Sequence, residues 1–300
     1  MLDIYGTLEI QKVLDEIALE THSEVARAKI VSLRMLQNKE EIRLCLKQVD
    51  EMMRLLNERD SLPIQSSFDL QKFLEIARKG GVLSIHELDH IALDIETSQK
   101  LNQYYARLDR HFYPSIFDLK EQLFDLSKLN EIIRYVISPN LVVLDTASRD
   151  LYEIRQQIKK LSSSVQDVSR GLVAKYAEYL SEKSVTIRND HFVLPVQTSY
   201  KSKVPGMIHD ISDTGATTFV EPQELVQLSN QIYALRVEEK EEIYRLLKML
   251  TEKVALHESE IDSNNNVIAR LDEISAKASY GIKHKCAVAT LSDEQVISIK

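Results

Sequence analysis

The residues in this sequence that could bind a metal ion lie in the run HELDH at 86–90. On a helix, the spacing H-E-x-x-H places two histidines on one face, where they can hold zinc beside a general-base glutamate. Ser84 stands three residues before Glu87, and this spacing predicts a capping box that engages the glutamate with the helix start. His111 and Glu121 stay open as a third ligand. We interpret the run as a helix start and expect no metal site.

A second candidate is the run HDISDTGATTFVEP, which extends from His209 to Pro222. Its hydroxyl side chains and its glycine are residue types found in catalytic and phosphate-binding loops. Threonine is also a good strand residue, and Asp213-Thr214-Gly215 is typical of a tight turn. His209 and Asp210 are neighbours on a predicted strand, so their side chains should point to opposite faces and not share a metal. We therefore interpret the run as two strands joined by a turn.

Sequence signatures of nucleotide binding and of serine catalysis are absent from the chain. Neither G-x-x-x-x-G-K-[ST] nor G-x-G-x-x-G occurs, and no serine lies in a G-x-S-x-G turn. We predict that these 300 residues contain no catalytic residue and bind no cofactor.

The distribution of charge gives a clearer functional indication. The chain has 38 basic and 46 acidic residues and a formal net charge of -8, which argues against nucleic-acid binding by its whole surface. Between Arg155 and Asp210, however, nine basic residues stand against five acidic ones. A basic region on an acidic chain is the expected pattern for holding a phosphate backbone without reading sequence. The residues predicted to contact nucleic acid are Arg170, Lys175, Lys183, Arg188, Lys201 and Lys203.

The elements that must position these cations are mostly helical. Seven glycines and six prolines in 300 residues are few, which favours long helices. Residues 1–150 show short amphipathic repeats and predict a compact bundle. One apolar stripe predicts a helix over 151–182, and a second stripe after Pro222 predicts a helix over 223–283 without a break. The two stripes suit an antiparallel coiled-coil pair, and the later half of the second should pack on the bundle.

The segment 183–222 has a different, alternating pattern. Two short apolar runs meet at Asn189-Asp190, which predicts a hairpin, and Pro195 suggests an edge position or a bulge. The predicted fold class is therefore mainly α, with a helical core bundle, two long antiparallel helices and a small β module inserted at their tip. Residues 284–300 alternate again and predict the start of a strand.

Cysteine content and hydropathy indicate the cellular setting. The two cysteines, Cys45 and Cys286, are far apart in no ligand spacing, as in a reduced protein. The N-terminus lacks the basic start of a secretory signal, and no apolar run approaches the ~20 residues that span a bilayer. We expect a cytoplasmic protein that makes no membrane contact.

Several runs together carry a family resemblance. They are VLDTASRDLYEIRQQIKKL, SVTIRNDHFVLPVQTSYKSKVPGMIHDISDTGATTFVEPQELVQLSNQI, GGVLS at 80–84 and TLEIQKVLDEIA near the start. The chain resembles the MutS-like ATPases, and among them the second bacterial paralogue, which carries a C-terminal Smr domain and lacks the mismatch-reading domain. The resemblance implies a core (1–150), an ascending lever helix (151–182), a β-rich clamp (183–222), a descending lever helix (223–283), and from 284–300 a strand leading into an ATPase domain absent from this chain.

The same resemblance implies the partners of the complete protein. They are ATP and Mg²⁺ in the absent ATPase domain, a second copy in a homodimer, and either DNA or collided ribosomes with their rRNA. The family's endonuclease activity belongs to the Smr domain, so this chain is expected to be its non-catalytic, nucleic-acid-embracing part. The residues alone leave two alternatives open. The first is a coiled-coil protein–protein interaction module with a β dimerisation hinge, and the second, further behind, is an enzyme that uses the HELDH run or the run from His209 to Pro222.

Overall fold

The structure, a computed structural model, describes residues 7–59, 61–65, 67–189 and 191–292. Contacts divide the chain into a helical unit, the described parts of Met1–Val142 and Leu247–Lys300, and a mixed unit, Val143–Leu246. The fold is mainly helical with a small antiparallel sheet, which confirms the predicted fold class. None of the described helices is long and apolar enough to cross a lipid bilayer.

The helices and strands follow one another in a simple order. In chain order they are α1 (Ile10–Leu19), α2 (Glu24–Val31), α3 (Lys39–Glu58), α4 (Gln71–Arg78), α5 (Ile85–Tyr105), α6 (Pro114–Lys120), α7 (Ser127–Val136), α8 (Arg149–Lys175), β1 (Thr186–Arg188), β2 (His191–Gln197), β3 (Gly206–Ile211), β4 (Thr217–Pro222), α9 (Gln223–Leu256) and α10 (Glu258–Lys283). Short 3₁₀ turns lie at Arg110–Phe112, Asp145–Ala147 and Thr198–Lys203.

Helix α10 forms the centre of the helical unit. Its apolar residues Ile268 and Leu271 are fully buried in a cluster with residues of α3, α5 and α6. Its polar side chains hold loops, because buried Asn264 bonds the backbone of Phe124 and buried Asp272 accepts from the amide of Ser23. The later half of the second apolar stripe therefore packs on the bundle, as predicted.

A buried carboxylate in this unit gives its stability a specific pH dependence. Asp94 on α5 is buried, and its Oδ1 accepts hydrogen bonds from Ser67 Oγ at 2.7 Å and Asn265 Nδ2 at 2.9 Å. Burial raises the pKa of Asp94 to about 6 from an ordinary value of 3.8, although both hydrogen bonds oppose the shift. Between these two pH values the folded chain holds a proton that the unfolded chain releases. The stability contributed by this proton is present below pH 3.8 and is lost as pH rises towards 6.

We expect Asp94→Asn to stabilise the helical unit above pH 6. The amide keeps an acceptor for Ser67 and Asn265 but cannot ionise, so the free energy of unfolding at pH 7.5 should rise by up to about 3 kcal/mol. The difference from wild type should shrink as pH falls from 6 to 4. Urea unfolding followed by circular dichroism across that range measures it. An equal loss of stability at every pH would contradict the assignment.

In the mixed unit, α8 and α9 run antiparallel. Ser148 Oγ, at the start of α8, donates to Glu242 Oε1 at 2.6 Å, whereas Lys175, at its end, lies 3.3 Å from Glu224. Between these contacts, apolar residues of both helices join those of the sheet in one cluster. Residues 143–150 also belong to the mixed unit. One of their contacts with it is the hydrogen bond that Arg155 on α8 donates to Val143 O at 2.8 Å.

The prediction of one helix over 151–182 is wrong at its end, because α8 stops at Lys175. The stripe residues Tyr176 and Leu180 are buried, but against the β module rather than on a helix face. Leu180 forms an isolated antiparallel bridge with Val196, and the amide of Ser181 donates to Pro195 O at 2.8 Å. The chain thus leaves the helix to border β2, a change that apolar spacing does not reveal.

The prediction of one unbroken helix over 223–283 is also wrong. Helix α9 ends at Leu256 and α10 begins at Glu258, with His257 between them outside helical geometry. The ring Nδ1 of His257 lies 2.8 Å from Glu260 Oε2, and acids in the first turn favour a new helix start. Val254 and Ile261, on either side of the break, are seven residues apart. The apolar periodicity therefore gives no sign that the helix ends between them. Helix α9 itself is 34 residues, about 51 Å long at 1.5 Å per residue.

The sheet has the strand order β1-β2-β4-β3, with all neighbours antiparallel. The predicted hairpin joins β1 and β2, and Asn189 has the positive φ of 49° that a tight turn needs; Asp190 lies outside the described residues. Gly215, at φ 69°, closes the predicted turn between β3 and β4. The edge position suggested for Pro195 is wrong, because Pro195 pairs with Phe219 of β4 on one side and accepts from the Ser181 amide on the other.

The strand predicted over 284–300 falls directly after α10 and only partly within the described residues. Residues 286–292 are described and contain no helix or strand, and residues 293–300 lie outside the described residues.

Candidate nucleic-acid interface

Three of the six predicted contact residues are exposed lysines without an ion-pair partner among the residues that the structure describes. Lys201 and Lys203 lie on the 3₁₀ turn between β2 and β3, and Lys183 lies in the bend before β1. The turn is anchored on its inner side, since Val204 is buried and the Tyr200 ring lies 5.4 Å from that of Tyr179. The anchoring leaves the lysine ammonium groups facing solvent, where a phosphate can reach them.

The other three predicted contact residues form weak surface ion pairs. Arg188 Nε lies 3.7 Å from Asp210 Oδ2, and its guanidinium packs 4.5 Å from the centre of the Phe219 ring. Arg170 pairs with the exposed Asp167. In each pair both partners are at least two-fifths exposed, and pairs as exposed as these contribute little to stability. A phosphate can therefore replace the carboxylate at little cost.

Lys175 contacts both a carboxylate and an aromatic ring. Its Nζ lies 3.3 Å from Glu224 Oε1 and 4.7 Å from the centre of the Tyr176 ring. Hydrogen bonding to Tyr176 and Glu224 raises the pKa of Lys175, so this side chain stays charged at neutral pH.

Arg155 is basic but has a structural role. Its guanidinium binds Asp145 Oδ1 at 2.5 Å and Glu239 Oε1 at 2.7 Å, and its side chain is only 21% exposed. These contacts fix the start of α8 against α9 within the mixed unit. The charge count between Arg155 and Asp210 therefore overstates the number of cations that are available to a ligand.

The structure brings two of the predicted residues to one cavity. Arg170 on α8 and Lys183 border a cavity of about 360 Å³, together with Val185 before β1. A second cavity of about 590 Å³ lies beside it, between Arg170 and the apolar side chains of Ile187 and Phe192. Cations around an apolar floor can bind a phosphate while a base or sugar covers the floor.

The HELDH run forms the start of α5. Ser84 and Glu87 make the predicted capping box, in which Glu87 Oε2 accepts from the Ser84 amide at 2.7 Å. His90 stacks on Phe68 with ring centres 3.7 Å apart, whereas His86 is exposed. In the described part of the chain, neither histidine belongs to a group of three ligand-type side chains.

The run from His209 to Pro222 forms β3, a turn and β4, as predicted. Thr218 is buried and shares a hydrogen bond with Thr198 Oγ1 at 3.1 Å, so its hydroxyl has a structural role. Sequence reasoning missed that His209 and Glu221 in this run approach His191 on β2. Only the pairing of three strands could have revealed that approach.

Comparison with known proteins identifies the family. No protein-family model matches the chain. Endonuclease MutS2 of Clostridium botulinum (strain ATCC 19397 / Type A) is 32% identical over 293 residues, which are 97% of this chain and 37% of that protein. Endonuclease MutS2 of Geobacillus sp. (strain WCH70) is 33% identical over 300 residues, which are 99% of this chain and 38% of that protein. Over the region that it spans, this chain belongs to the MutS2 family.

The match to the MutS2 family covers both units of the fold. Because the aligned region includes 97–99% of this chain, it contains the helical unit, α8, α9 and the β module alike. The chain spans less than two fifths of the length of these relatives. The family resemblance noted from the sequence is thereby confirmed.

Proposed function

We propose that this chain is the nucleic-acid-contacting, non-catalytic part of a MutS2-type protein, and that it holds a phosphate backbone through its mixed unit. The observation that carries the proposal is the set of three exposed lysines without ion-pair partners among the described residues, Lys183, Lys201 and Lys203. Ammonium groups of this kind neutralise phosphates and release counterions, which supplies affinity without reading base sequence. The name of these relatives, endonuclease, supports a nucleic acid as the partner.

The remaining predicted residues extend this interface. Arg170, Lys175 and Arg188 exchange a surface carboxylate for a phosphate when the nucleic acid arrives. The exposed ring of Tyr200, 41% accessible beside Lys201, offers a stacking surface for a base or sugar.

The long helices suit the transmission of motion to this interface. Helix α9 runs for 34 residues without a break after β4, and within the mixed unit it pairs antiparallel with α8. We propose that in the complete protein an ATPase domain outside this chain binds ATP with Mg²⁺, and that two copies close their β modules around the nucleic acid. DNA and the rRNA of a ribosome are both partners of the required chemistry, in the cytoplasm.

Binding by the 300-residue chain tests the proposal. Fluorescence anisotropy in about 50 mM salt, with a labelled 30-base-pair DNA duplex and separately with an rRNA hairpin, should show saturable binding that weakens steeply by 200 mM salt. Stronger binding to one of the two identifies the natural class of target. Failure to bind either of them at 50 mM salt would contradict the proposal for this chain.

The alternative of a β dimerisation hinge also has a specific observation in its favour. Strand β3 is at the edge of the sheet, and its side chains Met207, Ile208 and Ile211 are each about half exposed or more. An edge strand with exposed apolar residues is a template for pairing with another chain. Sedimentation of the wild-type chain and of Ile208→Lys distinguishes the two functions, since a hinge predicts a dimer that the lysine breaks.

A further inference from the structure

Three side chains of types that can bind a metal ion lie close together in the β module. His191 is on β2, His209 on β3 and Glu221 on β4. His209 Nε2 lies 2.8 Å from Glu221 Oε2, and His191 Nδ1 lies 3.1 Å from the same oxygen. The two imidazole rings stack with their centres 4.1 Å apart, and one ligand atom from each side chain lies within 4.8 Å of the others.

Strand order and a β-bulge explain why these residues meet. Strand β4 lies between β2 and β3, so Glu221 has a neighbour strand on each side. Ile208 pairs with Val220 and Asp210 with Phe219, which leaves His209 as an extra residue between them. A bulge re-aims the side chain of its extra residue. His209 thus reaches Glu221, while Asp210 reaches Arg188 instead.

The carboxylate at the centre of this cluster is buried and incompletely bonded. The Glu221 side chain is 1% exposed, and its Oε1 has no hydrogen-bond partner among the described residues. His191 Nδ1, although close to Oε2, also lacks hydrogen-bond geometry. No lysine or arginine of the described chain pairs with Glu221. A buried carboxylate oxygen without a hydrogen-bond partner destabilises the folded chain. A further positive group that binds this carboxylate would remove that destabilisation.

We infer that His191, His209 and Glu221 bind one divalent transition-metal ion of the zinc type. Two imidazole nitrogens and one carboxylate oxygen are a known zinc ligand set, with bonds of about 2.0–2.1 Å. Two ligand atoms on a tetrahedral ion are then about 3.3 Å apart, so the observed 2.8 and 3.1 Å need to widen by only a few tenths of an ångström. The ion links β2, β3 and β4 and fixes the sheet that carries the lysines.

Zinc binding by the complete 300-residue chain tests this inference. After dialysis against a chelator, titration with Zn²⁺ against a chromophoric competitor should give one bound equivalent, and Co²⁺ should give the visible absorption of a tetrahedral site. Removing a ligand in His209→Ala should weaken binding at least about 10- to 100-fold, the range found for second-shell partners alone. The matched control, His86→Ala, removes an exposed histidine from the HELDH run and should bind zinc as wild type does.

A second ligand variant, His191→Ala, keeps the test valid if His209→Ala does not fold. His191 is 28% exposed, so His191→Ala should fold, and Zn²⁺ should raise the melting temperature of wild type and His86→Ala but not of His191→Ala. Two results would overturn the inference. They are the absence of zinc binding at micromolar concentration, and binding that survives loss of either His191 or His209. In both cases the three side chains would be held by their contacts with one another, without an ion.

Discussion

Reversing the charge of Lys183, Lys201 and Lys203 together to glutamate is expected to weaken nucleic-acid binding by about 10- to 1000-fold at 100 mM salt, because each reversal removes one phosphate contact and adds a repulsion. The three side chains are exposed and unpaired among the described residues, so the reversal breaks no ion pair that the structure describes. Circular dichroism and the melting temperature should therefore stay close to wild type. Fluorescence anisotropy with the labelled duplex measures the loss.

A matched variant separates this local effect from that of net charge. Lys72, Lys100 and Lys128 are exposed in the helical unit and have no ion-pair partner among the described residues. Their triple change to glutamate alters the net charge by the same amount. It should change the affinity by less than about threefold, because none of these lysines belongs to the proposed interface and an exposed charge outside the contact is screened by salt. Equal losses in the two triple variants would show that the chain responds only to its total charge.

Gly206→Ala is expected to destabilise the mixed unit by about 2–4 kcal/mol, although Gly206 is exposed. A Cβ atom at this first residue of β3 would lie 2.0 Å from the carbonyl oxygen of Glu221 and 3.0 Å from Cα of Pro222. Both are backbone atoms of β4, so no side chain can move aside and the strands must separate. Chemical denaturation measures the loss, and hydrogen exchange should locate it at β3 and β4.

Gly171→Ala is the control for this glycine substitution. Gly171 lies within α8, and an added Cβ there meets no atom within 4 Å. Alanine favours a helix over glycine by about 1 kcal/mol, so this variant should be slightly more stable than wild type. If Gly206→Ala were as stable as Gly171→Ala, the close approach of β3 to β4 would be wrong.

Local signals in the sequence were sufficient for the turns and the hairpin. Asn189 and Gly215 adopt the positive φ values that their residue types permit at low cost. Ser84 and Glu87 form their capping box because both partners lie within one helical turn. Each of these features depends on residues a few positions apart, which sequence spacing reports directly.

The helix ends depended on contacts that spacing does not report. Tyr176 and Leu180 continue the apolar period of α8, yet they are buried against strands from further along the chain. The break at His257 falls between apolar residues that keep their heptad spacing. In both places tertiary packing overrides a pattern that a longer helix would also satisfy.

The candidate sites also divide into features that the sequence predicts and features that depend on tertiary contacts. The exposed lysines of the β module were found from charge density, because a cation at a loop reaches solvent in most folds. The count could not tell that Arg155 was already bound to Asp145 and Glu239, since both partners are set by the pairing of helices. The approach of His209 to Glu221 was hidden for a related reason, as it requires a bulge in β3.

The salt dependence of binding tests most directly whether these lysines hold phosphates. The slope of log Kd against log salt concentration counts the phosphates that the protein neutralises, at about 0.9 for each contact on duplex DNA. We predict a slope for the Lys183, Lys201 and Lys203 triple variant that is smaller than that of wild type by about 2–3, and an unchanged slope for the Lys72, Lys100 and Lys128 control. A triple variant with the wild-type slope would contradict the account, because the phosphates would then be held elsewhere.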